Sequence, residues 1–292
     1  MQVKIEENST RGWLNGFVGM VIFSGSLPAT RVAVLSFNPL FLTAARAAIA
    51  GLFALLLLWL FKQQRPRGDQ IFSLVIVALG VVVGFPLLTA LALQHVTSAH
   101  SIVFLGLLPL ATAIFGVLRG GERPRPAFWL FSIIGSLLVM SFASVQGGSV
   151  SLTGDLLMLA AVVVCGLGYA EGAKLSRTLG GWQVICWALL LALPVMLVAS
   201  LMLVPSSLAA IRLPAWISLA YVSLFSMLIG FIFWYRGLAQ GGIASVGQLQ
   251  LLQPFFGLAL AAGLLHEPVS LQMLATTLGI ILCVAGSRRF AR

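Results

Sequence analysis

The sequence predicts an all-α membrane protein: ten transmembrane helices arranged as two inverted five-helix repeats around a central cavity. Three observations lead to this fold class: the composition, the recurrence of long apolar runs, and a stretch that occurs twice. Of the 292 residues, 60% are hydrophobic and 8% are charged, which leaves too little polar surface to cover a soluble globule. The chain is therefore expected to lie in a lipid bilayer.

Ten apolar runs predict the ten helices. A helix needs roughly 20 apolar residues to cross about 30 Å of hydrocarbon, and short breaks rich in glycine and proline separate the runs. Too few residues remain for a soluble domain such as an ATPase, and no glycine-rich phosphate loop ending in Gly-Lys-Ser/Thr occurs. The predicted spans are 12–34, 39–61, 70–93, 97–119, 127–146, 153–175, 182–204, 214–237, 243–265 and 269–287.

A duplicated stretch divides the chain into two units. The segment that begins at Gly84 returns at Gly230, about half a chain later. Four residues recur as the same type 145 positions on: Leu93, Ala99, Pro109 and Glu122 return as Leu238, Ala244, Pro254 and Glu267. This repeat predicts two copies of one unit fused head to tail, residues 1–146 and 147–292.

Lysine and arginine gather at one set of helix ends. With the N-terminus in the cytoplasm, fourteen of the 17 lie at cytoplasmic ends and one, Arg212, lies outside. Because cytoplasmic loops carry such an excess, both termini are predicted to be cytoplasmic, and the net charge of +10 is assigned to the membrane surface, with no nucleic-acid partner. Five spans per unit is an odd number, so the second unit is inverted, a known arrangement for alternating access.

The order of several motifs resembles a known family. An arginine early in the second span (Phe37-Asn38-Pro39…Arg46), an Ala-Leu…Ser-Ala run and a Pro-x12-Glu motif are together similar to the EamA unit. Two such units in ten spans resemble the drug/metabolite transporter superfamily and, within it, the YddG-type aromatic amino acid exporters. The resemblance covers essentially the whole chain. It implies cytoplasmic termini, a central cavity between the units, and export of metabolites across a bacterial inner membrane.

Polar side chains inside predicted spans are candidates for a substrate site, because burying them in a membrane is costly. Gln250 and Gln253 lie three residues apart, on one helix face, and the neighbouring Pro254 frees the backbone carbonyl of Gln250. Two amides and a free carbonyl would suit the ammonium and carboxylate of an amino acid. The alternative is an interhelical hydrogen bond that holds the bundle together.

Two tyrosines are further candidates. Tyr169 follows Gly166 and Gly168, which allow close backbone approach, and is predicted to face the cavity. Tyr235 lies near a cytoplasmic helix end, where an aromatic residue is either a site residue or an interfacial anchor.

Ser24, His100 and Arg46 complete the predicted site. Ser24 and Ser26, on either side of Gly25, would bind the ligand or permit close packing. His100, near the external mouth, would gate or titrate or be a solvated helix-end residue. Arg46 lies too deep for its side chain to reach the surface easily. It would bind a substrate carboxylate or, as the favoured interpretation, bond backbone carbonyls in a structural role.

Charge placement also bears on energy coupling and on partners. Glu171 is the one acidic residue inside a span, and Lys174, one turn on, predicts an ion pair that neutralises it. With no deep acid to carry a proton, facilitated diffusion is expected. The three cysteines lie in apolar spans without metal-ligand spacing, so no metal or cofactor is predicted. A small-residue stripe, Ala275, Gly279 and Cys283, suits close packing or a homodimer contact.

The sequence thus predicts a transporter that exports small metabolites, aromatic or other hydrophobic amino acids, by alternating access. A broad drug exporter is one alternative. An organellar nucleotide-sugar or organic-phosphate carrier is another, although it would need more cationic residues than Arg46 alone. An intramembrane protease is not expected: both aspartates, Asp69 and Asp155, lie at span ends, and the second histidine of a His-Glu-x-x-His motif is missing after His266.

Overall fold

The structure, a computed structural model, describes residues 2–96, 101, 104–145, 151–208, 211–253, 255–256 and 271–291. All regular structure within these residues is helical, which confirms the predicted all-α class. The described residues of the ten predicted spans are mostly helical, although several spans are divided between two or three elements. The predicted site residue His100, together with Pro254 and Glu267, lies outside the described residues.

The described residues of the first half of the chain (1–146) form seven helices and one π-helical segment. In chain order they are α1 (Gln2–Ser24), α2 (Ser26–Val34), α3 (Pro39–Leu60), α4 (Gly68–Val77), the first π segment (Ala78–Gly84), α5 (Phe85–His95), α6 (Leu108–Gly120) and α7 (Pro126–Val145).

The second half (147–292) follows a similar order. Its elements are α8 (Leu152–Leu179), α9 (Gly181–Met202), α10 (Leu213–Ala220), the second π segment (Tyr221–Ile229), α11 (Gly230–Gly241), α12 (Ile243–Gly247), a 3-10 helix (Gln248–Leu252) and α13 (Leu271–Phe290).

Several of these helices have the length and composition of membrane spans. Six stretches among the described residues qualify: Thr10–Val34, Pro39–Leu60, Gly68–His95, Leu152–Leu179, Gly181–Met202 and Leu213–Gly241. Three shorter apolar helices accompany them. The chain is therefore a multi-pass membrane protein, whereas the count of ten spans and their inverted arrangement stay predictions.

The two π segments occupy related places in the repeat. The first ends at Gly84 and is followed by Phe85, and the second is followed by Gly230 and Phe231. These are the glycine-phenylalanine pairs with which the duplicated stretch begins. π-helical turns are rare and concentrate at functional sites. Because both copies have one at the same place, this level of the bundle is a candidate for the functional site.

Asn38 and Pro39 define the start of helix α3. The Asn38 side chain accepts a hydrogen bond from the backbone N–H of Leu40 at 2.8 Å, and Pro39 occupies the first turn, where its missing N–H costs nothing. This fixed start places Arg46 two turns into the helix, on its buried side.

Glycines bring α1 and α11 into close contact across the two halves. A Cβ added at Gly237 would lie 2.5 Å from the backbone nitrogen of Gly16, and one at Gly12 would lie 2.5 Å from the nitrogen of Gly241. Only hydrogen side chains allow backbones to approach so closely. The N-terminal helix is therefore part of the interface between the halves.

Candidate functional site

A cavity lies between the two halves, at the level of the π segments. The volume inside it that water-sized groups can occupy is about 30 Å³, so a solute would require the two halves to move apart. Its lining includes Phe85 and Phe231, the two phenylalanines of the duplicated Gly-Phe pairs. Both copies of the unit thus contribute the same residue type to one cavity, which is the candidate substrate site.

Three aromatic rings form an apolar wall of this cavity: Phe23, Tyr169 and Phe231. The ring centroids of Phe23 and Phe231 are 5.0 Å apart, and those of Tyr169 and Phe231 are 5.8 Å apart. These distances are typical of favourable aromatic pairs. The wall suits a flat or bulky apolar group.

Arg46 supplies the charge of the cavity lining. Its side chain is 6% exposed, and its Nη2 donates to the backbone carbonyl of Val222 at 3.2 Å and to Ser226 Oγ at 3.4 Å. Its Nε has no hydrogen-bond partner among the described residues. The carbonyl bond agrees with the structural role expected from the sequence, while the free Nε leaves a donor beside the cavity.

Two serines from opposite halves meet next to Arg46. The Ser26 hydroxyl donates to Ser226 Oγ at 2.7 Å, and both residues line the cavity. Sequence reasoning missed Ser226, as it missed Phe23, Phe85 and Phe231. The available signal was the repeat, since Phe85 and Phe231 follow its duplicated glycines.

Of the other predicted site residues, Gln253 and Tyr169 line the cavity, as Arg46 does. Gln253 Nε2 donates to the carbonyl of Phe23 at 3.3 Å, which ties the 3-10 region to α1. Gln250 is 3% exposed and does not line the cavity. Its side chain lies near Tyr169, yet neither of its amide atoms makes a hydrogen bond with good geometry among the described residues.

Ser24 and Tyr235 do not line this cavity. The Ser24 hydroxyl donates to the carbonyl of Met20 in its own helix at 2.9 Å. Tyr235 is fully buried, so it is not an interfacial anchor. Its hydroxyl donates to the Gly168 carbonyl at 3.1 Å, and a Cβ at Gly172 would overlap its ring. Tyr235 thus packs α11 against α8, whereas the Ser24 hydroxyl is bonded within α1.

Glu171 has a different principal partner from the one the sequence suggested. Its side chain is fully buried, and Arg119 Nε lies 2.8 Å from it, whereas Lys174 Nζ lies 3.9 Å away. The Ser73 hydroxyl donates to the same carboxylate at 2.6 Å. The expected ion pair with Lys174 is thus secondary to one that joins α8 to α6 of the other half.

Glu122 forms a second charged contact between the halves. Its two carboxylate oxygens accept hydrogen bonds from the backbone N–H groups of Ile243 and Ala244, at 2.6 and 2.7 Å. Arg177 Nη2 lies 3.1 Å from one of those oxygens. The carboxylate therefore caps the start of α12, where it also interacts favourably with the helix dipole.

The stripe on α13 is only partly open to a second copy of the chain. Cys283 is buried, and a Cβ at Gly135 of α7 would lie 3.4 Å from its Cβ. Ala275 is exposed. Packing within the chain therefore accounts for the Cys283 end, and a homodimer stays a prediction.

Known proteins similar to this chain are membrane transporters. The sequence model of the EamA-like transporter family matches the chain twice, over residues 10–142 and 152–288. The chain is 69% identical to the uncharacterized transporter YdeK of Bacillus subtilis (strain 168), over 97% of this chain and 99% of that protein. It is 30% identical to a probable amino-acid metabolite efflux pump of Salmonella typhimurium (strain LT2), over 56% of each.

A solved crystal structure has the same fold. It superimposes with a TM-score of 0.78 and covers 94% of this chain and 97% of that one. At 18% identity the likeness concerns the fold alone.

Proposed function

Because the chain belongs to the EamA-like transporter family, we propose that this membrane transporter exports small metabolites, namely aromatic or other hydrophobic amino acids, across a bacterial inner membrane. The family match extends over both halves of the chain. The efflux pump named above, which is a partial relative, is described as acting on amino-acid metabolites. The family match supports the transporter class, and the partial relative supports the substrate class.

The composition of the cavity is the observation that carries the substrate proposal. An aromatic wall of Phe23, Tyr169 and Phe231 faces the same space as the Arg46 guanidinium. A solute that combines an apolar side group with one negative charge would satisfy both. Gln253, which lines the cavity as well, adds an amide that suits the polar end of such a solute.

Alternating access fits the contacts between the halves. Glu171 and Glu122 each bond a group of the other half, and the distribution of positive charge assigns their end of the bundle to the cytoplasm. We infer that these contacts close the cytoplasmic side and break when one half rocks against the other. The matched π segments support a pair of related units, whereas the inversion of one unit and the cytoplasmic termini rest on the odd number of predicted spans and on the distribution of positive charge.

Transport is proposed to follow the solute's own gradient. Proton-coupled carriers hold their proton on an acidic or histidine side chain near the midplane, and the described lining of the cavity contains neither. Glu171 is engaged by Arg119. Facilitated diffusion needs no proton-binding side chain, so it fits the described lining better than proton coupling does.

The alternatives differ in the charge that they require. A nucleotide sugar carries two phosphate charges, and Arg46 is the one basic residue of the described lining, so that class is disfavoured. A broad exporter of uncharged drugs would use the aromatic wall and leave the Arg46 charge without an anion.

Counterflow in liposomes tests the proposed function. Purified protein is reconstituted in vesicles loaded with unlabelled L-phenylalanine, and labelled L-phenylalanine is added outside at trace concentration. Transient accumulation above protein-free vesicles is expected. Accumulation of nucleotide sugars or uncharged drugs, with none of any amino acid, would reject the proposal. Accumulation driven by an imposed pH or sodium gradient alone would reject facilitated diffusion.

A further inference from the structure

Arg46 is a buried cation that has no acidic partner among the described residues. Arg119 and Arg177 are each paired with a carboxylate, whereas within the described part of the chain Arg46 bonds only a carbonyl and a hydroxyl. A buried charge that lacks a counter-ion is costly inside a membrane protein. In this protein the uncompensated charge borders the candidate substrate cavity, so a bound anion would relieve the cost.

The guanidinium has a donor to spare. Its Nη2 makes both recorded bonds, to Val222 and to Ser226, and its buried Nε–H makes none with the described residues. An arginine can therefore hold a backbone carbonyl with one nitrogen and present another to a ligand. The structural role and a binding role are compatible on these contacts.

The serine pair adds a second donor beside the first. Ser26 and Ser226 hold two hydroxyl protons, and the 2.7 Å bond between them uses one. Arg46 Nη2 donates to the same Ser226 oxygen. Whichever serine donates within the pair, one hydroxyl proton is left without an acceptor in the part of the chain that the structure describes. Because both hydroxyls line the cavity, this proton is available to an anionic ligand.

We propose that Arg46 and the Ser26–Ser226 pair form a carboxylate subsite, and that the transporter requires the carboxylate of its solute but not the ammonium. This inference rests on the proposed function and names what that site selects. Charge-assisted bonds from the guanidinium and the hydroxyl would hold the carboxylate. The described lining contains no acidic side chain to pair with an ammonium, so the amine contributes little to recognition.

A set of phenylalanine analogues separates the two charges. The compounds are L-phenylalanine, N-acetyl-L-phenylalanine and 3-phenylpropanoate, which keep the carboxylate, and L-phenylalaninamide and 2-phenylethylamine, which lack it. In competition with labelled L-phenylalanine counterflow, the three carboxylates are expected to inhibit at similar concentrations. The amide and the amine are expected to be roughly tenfold weaker or worse. Equal inhibition by the amide, or no inhibition by the two carboxylates without an ammonium, would overturn the inference while the exporter function stands.

Binding is measured separately, so that a failure of transport does not hide the result. Thermal stabilisation of the purified protein by the same five compounds is expected from the carboxylates only. If phenylalanine shows no counterflow but the carboxylates still stabilise, the proposed function fails and the subsite stands. Stabilisation by the amine and the amide, or by none of the five, would refute the subsite.

Two neighbouring serines give a matched pair of variants. Ser226→Ala removes a cavity hydroxyl, whereas Ser223→Ala, in the same π segment, removes a buried hydroxyl that donates to the Leu219 carbonyl of its own helix at 2.6 Å. Ser226→Ala is expected to weaken inhibition by the carboxylates several-fold and to leave inhibition by the amide and the amine unchanged. Ser223→Ala is expected to keep the ratio between the two groups, and an equal loss of selectivity in both variants would contradict the proposal. Arg46→Lys keeps the charge but loses the fork of donors. Its preference for carboxylates over the amide and the amine is expected to lie between that of the wild type and that of Arg46→Met.

Discussion

The fully buried Glu171 carboxylate lies 2.8 Å from the Nε of Arg119, and this ion pair joins α8 of the second half to α6 of the first. Lys174, although it is one turn away on the same helix, lies at 3.9 Å. A buried carboxylate depends on its closest cation and on its hydrogen bonds for stability. The contact between the halves therefore matters more here than the contact within the helix.

Removing the two cations separately should reveal this difference. Arg119→Met leaves the buried Glu171 without its main partner, so we expect a loss of about 1–3 kcal/mol in the free energy of unfolding. Lys174→Met is expected to cost less than about 1 kcal/mol, because that side chain is half exposed. Thermal unfolding of the purified variants measures both. A larger loss for Lys174→Met would place the principal ion pair within α8.

The helix cap made by Glu122 should stabilise the fold more than the surface ion pair of Glu122 with Arg177 does. Glu122→Ala removes the acceptor of two backbone N–H groups at the start of α12, and we expect a loss of about 1–2 kcal/mol. Arg177→Met removes only the partly exposed cation and is expected to cost less than about 1 kcal/mol. Melting temperatures of the two variants provide the comparison, and similar shifts would argue against the cap.

The glycine contact between α1 and α11 is expected to tolerate no side chain. In Gly237→Ala the new Cβ would meet the backbone of Gly16 at 2.5 Å, so the helices must separate, at a cost of about 1–3 kcal/mol. Gly279→Ala is the control, because its Cβ would make an ordinary 3.5 Å contact with Leu138. Unfolding temperatures and the fraction of monodisperse protein measure the effect. An unchanged melting temperature in Gly237→Ala would show that the helices pack less closely.

The two glutamines should respond differently to leucine. Gln253 lines the cavity, so Gln253→Leu is expected to raise the KM of transport several-fold with little change in melting temperature. Gln250 is buried with its amide atoms unbonded, so Gln250→Leu is expected to preserve or raise the melting temperature and to change KM less. Counterflow kinetics and thermal unfolding test both variants. A rise in KM confined to Gln250→Leu would move the site away from the cavity.

Membrane orientation can be tested at two exposed positions. Cysteines at Leu208 and Gly68, both exposed, are expected on opposite sides, with Leu208→Cys outside. An impermeant thiol reagent should label Leu208→Cys in intact cells and Gly68→Cys only after permeabilisation. The three native cysteines are buried, so background labelling should be low. Labelling of Gly68→Cys in intact cells would falsify the proposed topology.

The sequence alone determined that the chain lies in a lipid bilayer, that it is helical and that it contains a repeat. Hydrophobicity and the length of apolar runs are local properties that one segment reveals by itself, and the duplicated stretch is visible as recurring residues. The sequence also identified Arg46, Tyr169 and Gln253 as candidates for a polar or aromatic cavity lining, because buried polar groups stand out in an apolar span.

Only the tertiary structure decided which side chains meet. The Ser26–Ser226 contact joins residues 200 positions apart, and the pairing of Glu171 with Arg119 depends on how α6 rotates against α8. The distance between two side chains on different helices depends on crossing angle, rotation and close approach of the backbones, and none of these follows from spacing along one chain. For the same reason Tyr235 and Ser24, polar residues in apolar spans, are satisfied by backbone carbonyls away from the cavity.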